Sequence, residues 1–263
     1  MTDLRELLRF YAEAGVDEAL EDAPLDRFAE SAPVAAPTPP ARTEAPARPA
    51  PPAMPVAIPD ETQAARARDL ARQASSLEEL RAIVATFDGC NLKFTAKQTV
   101  FSDGTPEGGL MLVGEAPGRD EDIAGRPFVG RSGRLLDRML AAIGIDRQSA
   151  YIANVIPWRP PGNRTPTPIE TEICRPFIER QIELARPRVL VTLGGPSAKV
   201  LLNATEGVLR LRGNWKVHRT AGGVEIPAMP TLHPAYLLRN PAHKKLAWRD
   251  FLEIRARLGG TGA

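Results

Sequence analysis

Polar and aromatic residues follow the apolar runs of this 263-residue sequence, at positions where a sheet could present them to a ligand. After the run at 110–114 come a glycine-bracketed turn, the carboxylates Glu115 and Glu121, and the aromatic residue Phe128. Glycines let backbone N–H groups approach a ligand closely, but so many acids disfavour a phosphate cradle. The alternative is a solvated acidic turn with Phe128 in the core.

The second apolar run ends in Asn154 and leads into a proline-rich loop that carries Arg159 and Arg164. A carboxamide offers an acceptor and donors side by side, which suits the edge of an amide-like ring. Two arginines in a rigid loop suit phosphates. A turn-forming asparagine with solvated arginines is the simpler alternative.

Two further loops follow apolar runs. The third opens a helix near Ser197, where free N–H groups could hold a phosphate, although a plain strand-to-helix turn is the favoured interpretation of this loop taken alone. The fourth begins at His233, which could act as a general acid, a charge stabiliser or a structural residue. The pair Leu237 and Leu238 beside Arg239 suits insertion into a DNA groove or the start of a buried helix.

Strand-like runs at 110–114, 151–155, 188–193 and 225–232 alternate with helical patterns. This alternation predicts an α/β fold, a three-layer α/β/α sandwich with a central, mainly parallel four-stranded sheet. Ligands of such sheets bind beyond the carboxyl ends of the strands, so the four loops should meet there.

The chain divides by composition into three parts. Residues 1–30 read as a helical leader, residues 31–60 as a disordered linker with ten prolines, and residues 61–263 as one globular domain. Residues 1–60 carry 11 acidic and 5 basic side chains, which leaves residues 61–263 with a net charge of +8. A basic body suits a polyanion such as nucleic acid, or serves solubility alone.

Several classes are excluded by composition. No run approaches the roughly 20 apolar residues that span a bilayer, and the N-terminus lacks the apolar core of a signal peptide. Two cysteines cannot build a disulfide framework. We therefore expect a cytoplasmic protein without membrane contact.

Four motifs in order, GEAPGRDEDIAGRPFVG, YIANV with RPPGNRTPTP, LVTLGGPSA and HPAYLLRNP, closely resemble the family 4 uracil-DNA glycosylases over residues 80–255. The resemblance implies the uracil-DNA glycosylase fold and a monofunctional repair enzyme. Such an enzyme flips uracil out of DNA and hydrolyses its N-glycosidic bond, leaving an abasic site. The alternatives are a catalytically impaired module that binds damaged DNA and an unrelated enzyme that binds the phosphate of a small molecule.

The resemblance also assigns roles in the base pocket. Phe128 would stack on the base, and Asn154 would accept from N3–H and donate to O4, a pattern that cytosine reverses. His233 would stabilise charge on the departing uracil near O2. Backbone N–H groups of the Gly114–Glu115 turn would assist in the manner of an oxyanion hole.

Two acids remain as candidates for water activation. The best-known uracil glycosylases place an aspartate where this chain has Ala116, as family 4 does, so Glu115 and Glu121 are the residues that could orient water or stabilise the sugar cation. Many relatives carry tyrosine at the position of Gly118 to exclude thymine. Gly118 leaves more room, which predicts tolerance of some modified bases.

Family 4 members hold an iron–sulfur cluster on four cysteines. At the matching positions this chain has Phe87, Cys90, Trp158 and Cys174. Because two thiolates cannot hold that cluster, the sequence predicts no cofactor and no metal, with bulky apolar packing instead.

The remaining expectations concern partners. Uracil-containing DNA is the expected substrate, the protein is expected to be a monomer, and the leader helix could bind an unidentified protein. DNA contacts are expected at Arg159, Asn163, Arg164, Ser197, Leu237 and Arg239.

Overall fold

The structure, a computed structural model, describes residues 61–260. The predicted leader, residues 1–30, and the predicted linker, residues 31–60, lie outside the described residues. No helix of the described part is long and apolar enough to cross a membrane.

The sheet has five strands rather than the predicted four. They are β1 (Leu110–Gly114), β2 (Ala150–Asn154), β3 (Val189–Leu193), β4 (Lys216–Arg219) and β5 (Glu225–Thr231). Their order is β2-β1-β3-β5-β4. Every neighbouring pair is parallel except β4 with β5, which is antiparallel. The α/β class with a mainly parallel sheet is thus confirmed, and the strand count is corrected.

Strand β4 was missed because its sequence has no apolar run. Its residues read KVHR, and only His218 among them is buried, as fits a short strand at a solvated edge. Strands β1 and β3 read instead as nearly continuous apolar runs, because a parallel sheet covered on both faces buries both sides of each strand.

Helices cover both faces of the sheet. The helices are α1 (Glu61–Gln73), α2 (Leu77–Thr86), α3 (Leu92–Thr95), α4 (Arg119–Ala124), α5 (Arg131–Ala142), α6 (Pro168–Ala185), α7 (Gly195–Leu202), α8 (Val208–Leu211), α9 (Pro234–Arg239) and α10 (Lys244–Gly259). One core cluster joins Met111 and Val113 of β1 to residues of α1, α2, α6 and α7. The other joins Leu110 and Leu112 to α5 and α10. Alternate residues of β1 therefore face opposite layers, which confirms the three-layer sandwich.

The predicted helix starts rest on local capping. The Thr167 hydroxyl accepts from the backbone N–H of Glu170, whose carboxylate accepts from the N–H of Thr167, and Pro168 occupies the first helical position. Ser76 caps α2 in the same way by accepting from Glu79. The short helices α3, α4 and α8 were not predicted, since four to six residues are too few to show a period, and α9 was raised only as an alternative for Leu237 and Leu238.

Candidate active site

A pocket of about 560 Å³ opens at the carboxyl ends of the parallel strands. Gly114 and Asn154 end β1 and β2 opposite each other. Leu193 of β3 lies opposite Thr231 of β5, and His233 follows two residues later. Three of the four predicted loops thus contribute a side chain to the same pocket, which Asn154, Phe128 and His233 all line.

Asn154 presents an unpaired acceptor. The side chain is buried, and its Oδ1 has no hydrogen-bond partner within the described residues. A buried, unsatisfied carboxamide oxygen is unfavourable unless a ligand donates to it. A Cβ on Gly114 would lie 2.4 Å from this oxygen and 2.7 Å from Cζ of Phe128, so only glycine fits between the two.

Phe128 forms the adjoining wall. Its ring is buried, and its centroid lies 5.4 Å from that of the His233 ring with 34° between the ring planes. Its backbone has φ of 54°, in the left-handed region that a bulky residue rarely adopts. The aromatic face is therefore set by a backbone conformation that the surrounding structure must maintain.

His233 is positioned as the N-cap of α9. Its Nδ1 accepts the backbone N–H of Ala235 at 3.1 Å, so the proton of the neutral imidazole is on Nε2. Desolvation, followed by the positive charge of Arg239, lowers the pKa of His233 to about 4. At neutral pH the residue is thus an uncharged donor through Nε2.

The two candidate acids differ in their partners. The Glu121 carboxylate accepts the backbone N–H groups of Gly118, Val129 and Gly130, at 3.1, 3.0 and 2.9 Å. It ties the two ends of the first loop together. The Glu115 carboxylate makes no hydrogen bond with any described residue, and desolvation raises its pKa. Both acids line the pocket, but of the two carboxylates only that of Glu121 is engaged in hydrogen bonds with other described residues.

Gly118 lies in this lining, yet the room beside it is narrow. A Cβ there would lie 2.7 Å from the Glu121 carboxylate. Its φ of −88° is one that any residue can adopt. A larger residue at position 118 would therefore clash with Glu121 but would not strain the backbone.

The second loop lies at the rim, with its cations engaged by neighbouring side chains. Arg164 binds Glu170 through both terminal nitrogens, at 2.9 and 2.6 Å, and lines the pocket. Arg159 donates to Asn163 Oδ1 at 2.7 Å and lies 3.9 Å from Asp122. Any contact of these arginines with phosphate therefore competes with an internal partner.

Two predicted DNA contacts have buried side chains. Ser197 is fully buried and its hydroxyl donates to the carbonyl of Gly194 at 3.2 Å, so a phosphate contact at this helix start stays a prediction for the backbone N–H groups alone. Leu237 is 1% exposed and packs with Leu232 and Ala247, which excludes insertion into a groove. Its neighbour Leu238 is the exposed leucine of the pair.

Arg239 fits its prediction better. It is exposed at the end of α9, lines the pocket and has no ion pair among the described residues. A second concavity beside the pocket shares it with Arg119 and Arg131, two exposed cations that the sequence analysis did not select.

Sequence reasoning also missed Ser132, Tyr236 and Val208, which line the pocket. Tyr236 stands within the fourth motif and Ser132 comes two residues after the first, so proximity to those motifs was an available signal. Val208 comes from α8, and nothing in its local sequence marks it.

The two cysteines meet under the second loop. Cys90 and Cys174 are fully buried and share a hydrogen bond, and burial raises the pKa of the Cys174 thiol well above its usual range. Phe87 and Trp158 are buried beside them, with ring centroids 6.4 Å apart. The Trp158 indole N–H donates to Thr99 at 3.1 Å.

Comparison with known proteins finds several similar enzymes. The chain is 38% identical over 188 residues to the type-4 uracil-DNA glycosylase of Sulfurisphaera tokodaii, covering 68% of this chain and 84% of that one. It is 39% identical over 184 residues to the enzyme of the same name from Archaeoglobus fulgidus, covering 68% and 92%. The corresponding enzyme of Pyrobaculum aerophilum is 41% identical over 170 residues, covering 63% and 86%. The resemblance to family 4 is thereby confirmed.

These comparisons overturn the prediction that the chain has no cofactor. That prediction is wrong, because the relatives are type-4 enzymes, the group for which the resemblance implies an iron–sulfur cluster. The described residues supply only two of the four cysteine thiols that such a cluster needs. Among them, no group of three or more His, Cys, Asp or Glu side chains lies close enough together to hold a metal ion. They fit a four-cysteine cluster only in part, so no reaction step below is assigned to it.

A family model agrees with the individual relatives. The model of the uracil DNA glycosylase superfamily matches residues 101–252, more than half of the chain, and that span includes Asn154, Phe128 and His233. The chain belongs to the uracil-DNA glycosylase superfamily.

Proposed function

We propose that the protein is a monofunctional uracil-DNA glycosylase of DNA repair, which hydrolyses the N-glycosidic bond of uracil in DNA and leaves an abasic site. The observation that carries this proposal is the unpaired, buried Oδ1 of Asn154 in a pocket walled by an aromatic ring. The names of the type-4 relatives support the same activity.

Base recognition follows from the groups that line the pocket. A flipped uracil stacks on Phe128 and donates its N3–H to Asn154 Oδ1, while the carboxamide N–H donates to O4. Cytosine has an acceptor at N3 and a donor at the 4-position, so it leaves both ends of the Asn154 carboxamide facing like groups. Unpaired buried polar groups give strong discrimination against such an analogue.

Bond cleavage develops negative charge on the leaving base. When the bond between C1′ and N1 breaks, its electron pair passes to uracil and is delocalised onto O2. The neutral His233 imidazole donates from Nε2 to O2, and a donor that is already in place needs no reorganisation. Support for this role is the acceptor bond at Nδ1, which leaves only Nε2 to donate.

Water completes the reaction at C1′. We assign its orientation to Glu115, whose carboxylate has no hydrogen-bond partner within residues 61–260, and loop fixation to Glu121, which accepts three backbone N–H groups. The water oxygen bonds to C1′, and its proton passes to the Glu115 carboxylate and then to solvent, while the released uracil anion takes up a proton from solvent. The products are uracil and an abasic deoxyribose.

We further propose a cytoplasmic monomer that contacts DNA at the pocket rim through Arg159, Asn163, Arg164 and Arg239. We also propose that the pocket accepts some bases other than uracil. The absence of a side chain at Gly118 favours limited tolerance of 5-substituted uracils, which a series of such substrates would test.

The test of the activity uses a labelled duplex with one U opposite G and a matched duplex with C opposite G. Full-length protein should produce an alkali-dependent break at U and no break at C. An intact strand that is retained tightly by the protein would favour the damage-binding alternative. An intact strand without preferential binding would overturn the proposed function.

A further inference from the structure

The conformation of Phe128 requires an external restraint. Its φ of 54° is unfavourable for an aromatic residue, and such strain persists only where neighbouring structure imposes it. The backbone here is also crowded, since a Cβ on Gly133 would lie 1.7 Å from the Phe128 carbonyl oxygen. Something must hold this peptide against α5 in one position.

Arg147 provides that restraint from a distant part of the sequence. Its Nη2 donates to the carbonyl of Pro127 at 2.6 Å, and its Nη1 donates to the carbonyl of Phe128 at 3.1 Å. One guanidinium thus donates to the carbonyl before Phe128 and to the carbonyl of Phe128 itself. The residue precedes β2 and does not line the pocket.

The other bonds of Arg147 fix the guanidinium itself. Its Nη1 donates to Asp137 of α5 at 2.7 Å, and its Nε donates to Asp103 at 2.9 Å. Asp103 exchanges two backbone hydrogen bonds with Ile152 of β2, at 3.0 and 2.9 Å. The side chains of Arg147 and Asp103 are only 16% and 12% exposed, so the bond between them is sheltered from water.

These contacts connect two walls of the pocket. Through Asp103 and Ile152, Arg147 is joined to the strand that ends in Asn154, and through two carbonyls it is joined to Phe128. We propose that Arg147 is a positioning residue that holds the Phe128 ring in register with Asn154, so that a base stacked on the ring presents its edge to the carboxamide. This inference rests on the proposed function.

Arginine is required by the geometry. Three nitrogens in one plane serve four acceptors that lie on different sides, and a lysine ammonium cannot reach all of them from a single point. Arg147→Lys should therefore keep the charge and lose part of the restraint.

The test compares Arg147→Met with Arg180→Met. Arg180 is a matched control, since it donates twice to the Ala74 carbonyl, at 3.1 and 2.7 Å, and pairs with Glu183 away from the pocket. Single-turnover release of uracil should fall about 10- to 100-fold in Arg147→Met, as for a misplacement of about 1 Å, and should stay unchanged in Arg180→Met per folded molecule. Arg147→Lys should fall between the two.

A double substitution separates positioning from general stability. If Arg147 acts through the ring, Arg147→Met should change uracil release less than about twofold in a Phe128→Ala background. Binding to DNA that carries an abasic site should be unchanged, because no base meets the ring there. Full additivity with Phe128→Ala, or equal losses in the variants of Arg147 and Arg180, would overturn the proposal.

Two variants keep the test decisive if Arg147→Met does not fold. Arg147→Lys and Asp137→Asn each remove part of the restraint, and Asp137 is 42% exposed, so its substitution spares the core. Each should slow uracil release at least about twofold without changing abasic-site binding. Wild-type rates in both would overturn the positioning role, whereas a wild-type protein that releases no uracil would overturn the proposed function instead.

Discussion

The wall of the pocket and its rim differ in how their side chains are held. On the wall, Asn154 and Phe128 are buried and are fixed by close backbone contacts. At the rim, Arg239 is exposed and unpaired among the described residues, while Arg164 is held by Glu170. The wall is therefore organised before any ligand arrives, whereas part of the rim must exchange internal partners for DNA.

This difference explains which sequence predictions succeeded. Wall residues stand at strand ends, and parallel strands deliver their ends to one edge, so strand position was sufficient to place Asn154 and His233. Leu237, Leu238 and Arg239 stand instead on helix α9, where adjacent residues point in different directions. The phase of α9 buries Leu237 and exposes Leu238, which a motif alone does not specify.

The largest effect is expected from Leu237→Ala, which tests whether Leu237 lies in the core rather than at the rim of the pocket. Truncation of a fully buried leucine should lower the free energy of unfolding by about 2–5 kcal/mol. Leu238→Ala is the matched control and should change it by less than about 0.5 kcal/mol. Urea denaturation measures both, and equal stability of the two variants would contradict the placement of Leu237 in the core.

His233→Ala tests whether the pocket wall contributes to catalysis through the hydrogen bond that His233 donates to the departing base. Loss of a preorganised donor to the departing base should slow single-turnover uracil release by about 10²–10³. DNA affinity should change far less, because His233 donates mainly to charge that develops during cleavage. A rate within a factor of three of wild type would remove His233 from the mechanism.

The lowered pKa of His233 gives the same residue a pH signature. Because its pKa falls from an ordinary 6.5 to about 4, the native protein binds fewer protons than the unfolded chain between these values. The His233 contribution to stability is complete above pH 6.5 and is lost as the pH falls toward 4. Removal of His233 should flatten this part of the stability profile.

Phe128→Ala should have a moderate effect. Loss of base stacking weakens transition-state binding by about 1–3 kcal/mol, which lowers kcat/KM for uracil about 5- to 150-fold. Phe128→Tyr keeps the ring and should retain most activity. Full activity of the alanine variant would show that the ring is not the stacking surface.

Arg239→Gln should have the smallest effect, on the salt dependence of DNA binding. Removal of one unpaired phosphate contact should reduce the slope of log K against log salt by about one. Arg164→Gln should affect stability instead, since it leaves the buried carboxylate of Glu170 without its guanidinium. If Arg164→Gln reduced the slope of log K against log salt more than Arg239→Gln does, Arg164 rather than Arg239 would be the main phosphate contact of the two.

The sequence predicted β1 with its observed ends and the cap at Thr167, because both depend on local residue types. It did not predict β4, whose pairing with β5 stabilises a strand without an apolar pattern. Nor could it reveal the positive φ of Phe128 or its link to Arg147, since these arise from residues 19 positions apart in sequence.

The most direct test of the account concerns Asn154. Release of uracil and of cytosine is measured under single-turnover conditions from otherwise identical single-stranded oligonucleotides, with wild-type protein and with Asn154→Asp. The account predicts that wild type releases only uracil, and that the carboxylate, which cannot donate to O4, slows uracil release and reduces the preference for uracil over cytosine by at least about tenfold. Wild-type selectivity in Asn154→Asp would contradict the claim that this side chain reads the base.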